Sequence, residues 1–277
     1  MGALINDFKT WEAYQSLCKD PGRRKVYHPD FTCPDELKPL IFSETRHDVR
    51  TISHNAMKDF IILQCKASAP DYIVDEKNEP VIDQLIMWLR RDERFLKISP
   101  GYSFDKGLMI RGGVGSGKTL LFTAFEKLIS KIVFWDFGKK TDYDYAPYFS
   151  NPIEYAPCIG KRFYPVTTNK ISSDFSLDGF AIFEKDMDNR KTFHISNLLH
   201  GPIFFDDLGS ENIANHYGAS INIMSEIIIR RYEKKLLTHF TSNLSIEEIK
   251  AFYGMRVYDR LREMVNDTLL LGESRRK

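Results

Sequence analysis

The 277 residues, 43% hydrophobic and 28% charged, suffice for one large domain with an extension and a full buried core. With 39 basic against 38 acidic side chains the net charge is +1, which excludes a global field pulling the protein toward nucleic acid or membrane and leaves only local patches for such contacts. Cys18, Cys33, Cys65 and Cys158 form no C-x-x-C pair, against a zinc knuckle or disulfide framework, and no stretch approaches the roughly 18 apolar residues of a membrane span, so a cytoplasmic protein with reduced thiols is expected.

Residues 1 to about 75 mix aromatic, proline and charged residues without clean periodicity and read as an irregular, mostly helical extension. A helix is expected over about 80–97, where Ile82, Leu85, Ile86, Leu89 and Phe95 recur at helical spacing behind a first-turn proline. From Gly107 onward short apolar runs alternate with amphipathic helices, the pattern of an α/β fold with a parallel sheet between helical layers. "GLMI" is the first strand, and a helix after Thr119 places Leu121, Phe125, Leu128 and Ile132 on one side. Residues 136–162 are too long and aromatic for an ordinary connection and read as an insertion. The core resumes with "RFYPVTT", a helical stretch around "DGFAIFEKDM", the strand "PIFFDD", a helix over about 219–235, the strand "LLTHFTSN" and a last helix opened by a capping box of Ser245 and Glu248.

Gly112, Gly117, Lys118 and Thr119 match G-x-x-x-x-G-K-[ST], with Gly113, Val114, Gly115 and Ser116 inside the turn and Leu120 in the first helical turn behind it. Glycines let main-chain N–H groups close around phosphate oxygens and the helix N-terminus adds its positive dipole end; Lys118 reaches the outer phosphates and Thr119 offers a hydroxyl to Mg²⁺. A nucleotide site of this kind needs a second strand ending in carboxylates, and "IFFDDLGSE" supplies one. Asp206 would hold the Mg²⁺ water shell and Asp207 would polarise the attacking water; the alternative is a capped loop start. Glu211 either supports the base or is a solvated loop residue. In "THFTSN" Asn243 stands at the strand end that faces the phosphate edge of a parallel sheet.

The stretches "GLMIRGGVGSGKT", "IFFDDLGSE", "RRYEKKLLTHFTSNLSIEEI" and "YGMRVYDRLREM" resemble successive blocks of the DnaC/IstB group of AAA+ ATPases, which are helicase loaders and transposition helpers. The resemblance covers roughly residues 105–277 in the family's order, and its last two blocks are the specific ones. It implies a P-loop NTPase of AAA+ type with ATP and Mg²⁺ as cofactors, Asn243 in the sensor position where the alternative is a cap for the following helix, and Arg260 as the arginine finger that enters a neighbouring subunit's site, with Arg256 as companion. Helical spacing puts Arg256 and Arg260 on one face with Arg262 turned away, and the alternative for them is a solvated basic face. The chain departs from the pattern in two ways. It ends 17 residues after Arg260, so the C-terminal lid is expected to be reduced or absent and Arg275 and Arg276 are weak lid candidates. Its second carboxylate is Asp207 where most AAA+ proteins use glutamate, and the shorter reach implies slow turnover, stimulated by DNA or by oligomer formation.

The expected division is a partner-docking extension over residues 1–100 and an ATPase core over 101–277. The insertion interleaves Tyr143, Tyr145, Tyr148, Phe149 and Tyr155 with Lys139, Lys140, Lys161 and Arg162; these rings either stack on unpaired bases or pack the insertion onto the sheet. The leading expectation is a self-oligomerising, DnaC-like helicase loader acting on single-stranded DNA in replication, with a replicative helicase as partner. The alternatives are an IstB-like helper with a transposase as partner, a small-molecule kinase or switch, and a module that holds ATP without hydrolysing it.

Overall fold

The computed structural model describes residues 47–49, 51–129, 132–133, 165–180, 198–199, 202–216 and 219–272, with Leu37, Leu40 and Ser274. The insertion over 136–162, Arg275, Arg276 and most of residues 1–46 lie outside the described residues.

Short buried runs form the strands. Gly107–Arg111 (β2) and Thr238–Ser242 (β8) are buried at every position, and Ile203–Leu208 (β5) at all but Asp207. With Pro165–Thr167 (β4) and Val265–Leu269 (β9) they build a five-stranded sheet in the order β4-β5-β8-β2-β9, every neighbouring pair parallel. Alternation along the strands divides the core. Leu108, Ile110 and Phe204 face one cluster, and Met109, Phe205 and Phe240 face the other. Helices His54–Ser68 (α1), Glu79–Arg90 (α2) and Lys118–Ile129 (α3) cover the first face. Thr168–Asp178 (α4), Ile223–Glu233 (α5), Ile246–Tyr253 (α6) and Met255–Met264 (α7) cover the second. The result is an α/β sheet between two helical layers. Two small pairs complete the described strands: His47–Asp48 (β1) parallel to Ile132–Val133 (β3), and Ala214–His216 (β6) antiparallel to Ala219–Ile221 (β7).

Several element boundaries differ from the sequence expectation. The helix expected over 80–97 stops at Arg90, because Arg91 turns left-handed at φ 51° and Phe95 is buried from a separate 3-10 turn, Phe95–Lys97. Ile132 belongs to β3 rather than to α3. Helix α4 leads into the stretch "DGFAIFEKDM" and ends at Gly179, φ 57°; residues 181–187 of the helix expected there lie outside the described residues. The helix expected over 219–235 begins only at Ile223, since residues 219–221 pair in β7 and the Asn222 side chain caps the helix through the Ser225 amide. The capping box at Ser245 and Glu248 is present. The segment it opens is broken at Gly254, φ 81°, into α6 and α7. Within the extension α1 is a regular helix capped by Ser53, and it packs with α2 into the same cluster as Leu108, Ile110 and Phe125.

Candidate nucleotide site

In a parallel sheet the loops at the carboxyl ends of the strands share one edge. Here that edge brings together the turn after β2, the end of β5 and the end of β8. The turn leaves β2 with the Gly112 amide donating to the Ser242 carbonyl at 3.2 Å, and it closes with Ser116 donating to Gly113 at 3.2 Å. Gly115 and Gly117 have φ values of 79° and 98°, a region that L side chains rarely adopt. At Gly112 the constraint is space, because a Cβ would stand 2.3 Å from the Leu270 carbonyl oxygen.

Lys118 opens α3 and is only 4% exposed. Its ammonium donates to the Gly112 and Gly113 carbonyls at 2.8 Å each and to Asn243 Oδ1 at 2.6 Å. Asn243 in turn donates from Nδ2 to Asp207 Oδ1 at 3.2 Å. Thr119 donates its hydroxyl to Asp206 Oδ1 at 2.8 Å. Three strands thus deliver one continuous set of polar side chains: Lys118 and Thr119 behind β2, Asp206 and Asp207 on β5, and Asn243 after β8.

The two carboxylates are separated by an irregularity. Phe205 pairs with Phe240, but Leu208 pairs with Ser242, so β5 carries one extra residue across this stretch. Asp207 takes up the difference at φ 58°, a left-handed conformation that aspartate tolerates better than most residues. Asp206 stays in the sheet, 5% exposed. Burial holds its carboxyl above the ordinary range, opposed by hydroxyls donated from Thr241 and Thr119; the Asp207 charge adds to the rise and Lys118 opposes it.

These residues fit a nucleotide with its cation. Ser116 Oγ is buried in the turn with no hydrogen-bond partner among the described residues, and Lys118 holds a buried charge at the N-terminus of α3. Thr119 gives its proton to Asp206 and keeps oxygen lone pairs, so Thr119 directly and Asp206 through water are the residues that would hold Mg²⁺. Among the described residues no group of three or more His, Cys, Asp or Glu is placed to hold a metal ion. Val114 is 64% exposed at the tip of the turn. Leu120 packs its side chain against the first core cluster, and its amide, in the first turn of α3, is what it can offer a phosphate.

Glu211 is buried and not a solvated loop residue. It is 4% exposed, accepts the Gly209 amide at 2.9 Å and receives the Tyr253 hydroxyl, so it ties the loop after β5 to α6. Burial and the Glu211 carboxylate push the Tyr253 phenol well above its ordinary range. Arg260 lies away from this chain's own site: its guanidinium sits 4.4 Å from the Tyr232 ring centre and donates to the Tyr232 hydroxyl at 3.3 Å, while that hydroxyl donates to Glu263 at 2.6 Å. Arg256 and Arg262 are exposed. Sequence reasoning missed Thr241, Thr168 and the bidentate pair of Arg111 with Asp267 at 2.8 and 2.7 Å, which binds β2 to β9 just before the turn. The signal for Thr241 was its place two residues before Asn243, on a strand expected to end at the phosphate edge.

No helix among the described residues is long and apolar enough to cross a membrane. No protein-family model and no curated protein matches the chain. Among solved structures the chain is similar to one titled as the DnaC helicase loader, at 18% identity and a TM-score of 0.42, covering 74% of this chain and 95% of that one. It is also similar to DnaI, at 18% identity and a TM-score of 0.40, covering 75% of this chain and 89% of the other.

Proposed function

We propose that the chain is an Mg²⁺-dependent ATPase that assembles with copies of itself and loads a replicative helicase onto single-stranded DNA, in the manner of the DnaC group its sequence resembles. One observation carries the ATPase reading: Thr119 with Asp206, and Lys118 with Asn243 and Asp207, form hydrogen-bonded links across the edge of three strands. Held by Thr119 directly and by Asp206 through water, Mg²⁺ would offset the charge of the outer phosphates. Lys118 exchanges its carbonyl partners for phosphate oxygens. Asp207 accepts a proton from the attacking water as that water's oxygen bonds to the γ-phosphorus and the bond to the β-phosphate oxygen breaks, giving ADP and phosphate. Asn243, between Lys118 and Asp207, orients the water or the γ-phosphate. The loader assignment rests on the block beginning at Arg230 and the block around Arg260, and residues 1–100 are the proposed helicase-docking region.

Phosphate release, measured with and without single-stranded DNA over a protein concentration series, tests the reading. Turnover that rises with both DNA and concentration, and that disappears in Asp207→Asn while nucleotide affinity remains, supports it. No release under any condition overturns it in favour of a module that only holds ATP. Retention of a replicative helicase in a pull-down supports the loader, whereas retention of a transposase instead overturns the loader in favour of the helper.

A further inference from the structure

We propose that Thr241 is a positioning residue for hydrolysis, setting the two carboxylates of β5 relative to each other; this inference rests on the ATPase reading above. Its side chain, 0% exposed, donates to Asp206 Oδ1 at 2.5 Å and accepts the Asp207 amide at 2.9 Å. A hydroxyl has one proton to give and lone pairs to receive, so this single group fills both roles at once. From the opposite side Thr168, also 0% exposed, donates its hydroxyl to the Asp207 carbonyl at 2.8 Å. The extra residue in β5 breaks the regular ladder at Asp207, and threonines from the flanking elements β8 and α4 replace the missing main-chain partners. They hold Asp207 at φ 58°, where its carboxylate meets Asn243, while Asp206 is kept against Thr119. Lysine and asparagine bind the phosphate end; Thr241 sets the spacing between the acid that serves the cation and the acid that serves the water.

Thr241→Val keeps the shape and removes the hydroxyl. Loss of an outer partner of this kind costs about 10- to 100-fold in activity, and the loss is expected in kcat, with nucleotide Kd and the KM for ATP close to wild type. Thr241→Ser, which restores the hydroxyl without the methyl, recovers most of the wild-type kcat. Thr168→Val shifts kcat in the same direction by a smaller factor. If Thr241→Val does not yield folded protein by thermal unfolding, Thr241→Ala removes the same hydroxyl without placing a methyl group against the carboxylate, and carries the same expectation. Wild-type kcat in either hydroxyl-free variant overturns the proposal alone. So does an equal loss in the serine variant, or a loss of affinity that parallels the loss of turnover, since a packing role predicts both. Wild-type protein that releases no phosphate overturns the ATPase reading and this inference with it.

Discussion

Thr238, His239, Thr241 and Ser242 are polar and buried within β8, and each has a partner that explains its place there. Thr238 accepts from Arg231, Thr241 serves the two aspartates, and Ser242 donates to the Leu208 carbonyl and accepts the Leu244 amide. His239 accepts the Leu108 amide on Nδ1 at 3.1 Å, with Trp88 edge-on to its ring at 5.4 Å. Burial, helped by the Arg231 charge, pushes its pKa down from 6.5 to about 3. The folded ring therefore stays neutral where the unfolded ring takes up a proton. Its contribution to stability is complete above the unfolded value and is lost as pH falls from there toward about 3. Between pH 7 and pH 5 this group alone accounts for roughly 2 kcal/mol of lost stability. His239→Asn keeps an acceptor for the Leu108 amide and does not titrate. It lowers stability at both pH values through the cavity it leaves, and the difference between the unfolding free energies from urea titrations at pH 7 and pH 5 shrinks by that amount. An undiminished difference would place the acid sensitivity elsewhere.

The strand that carries the phosphate turn depends on close approach at its start. A Cβ on Gly107 would lie 1.8 Å from the Thr238 carbonyl oxygen, which is main chain and has no side-chain freedom with which to yield. Gly107→Ala therefore pushes β2 away from β8, with a cost of about 1 to 3 kcal/mol expected for overpacking. Because Lys118 and Asn243 meet across that same pair of strands, nucleotide affinity falls together with the melting temperature. An unchanged melting temperature in this variant would show that the approach of the strands is not tight. Gly107 itself was legible only as the first residue of an apolar run; its steric role follows from the neighbour, and the neighbour is more than a hundred residues away. The same division holds elsewhere. That Lys118, Thr119, Asp206 and Asn243 come together at one sheet edge could be expected from the chain, because spacing and strand ends are local properties. The meeting of Thr241 with Asp206 and Asp207 depends on β8 lying beside β5, and that strand order is not written in either segment. Helix ends were misjudged where the signal was unusual, as at Arg91, which turns left-handed without being glycine. The extension was expected to be mostly helical, but α1 was not located within it because its apolar positions, Ala56, Met57, Phe60, Ile61 and Leu63, follow a long aperiodic stretch.

At the scale of the molecule the proposed finger role of Arg260 bears on how many chains make a site. Its guanidinium rests on Tyr232, near the end of α5, and α5 leads into the beginning of β8. Lys118, by contrast, meets Asn243 just past the end of β8. The five residues of β8, at about 3.3 Å each, put roughly 16 Å between those two edges of the sheet. If Arg260 serves catalysis, it therefore serves the site of another copy. Lys118→Ala chains then have a ruined site and an intact finger, and Arg260→Ala chains the reverse. Each alone hydrolyses ATP poorly. On mixing, an Arg260→Ala subunit receives Arg260 from a Lys118→Ala neighbour, and a fraction of interfaces regains the full set of charges around the γ-phosphate. Turnover reappears, and it grows with total protein concentration because the composite site exists only in the assembled state. Tyr232→Phe separates this from a local role: it removes the hydroxyl that Arg260 and Glu263 share but leaves the ring beneath the guanidinium, so complementation persists. A mixture as inactive as its components, under conditions where wild-type chains assemble, would mean that Arg260 braces α7 on α5 within its own chain and reaches no neighbour.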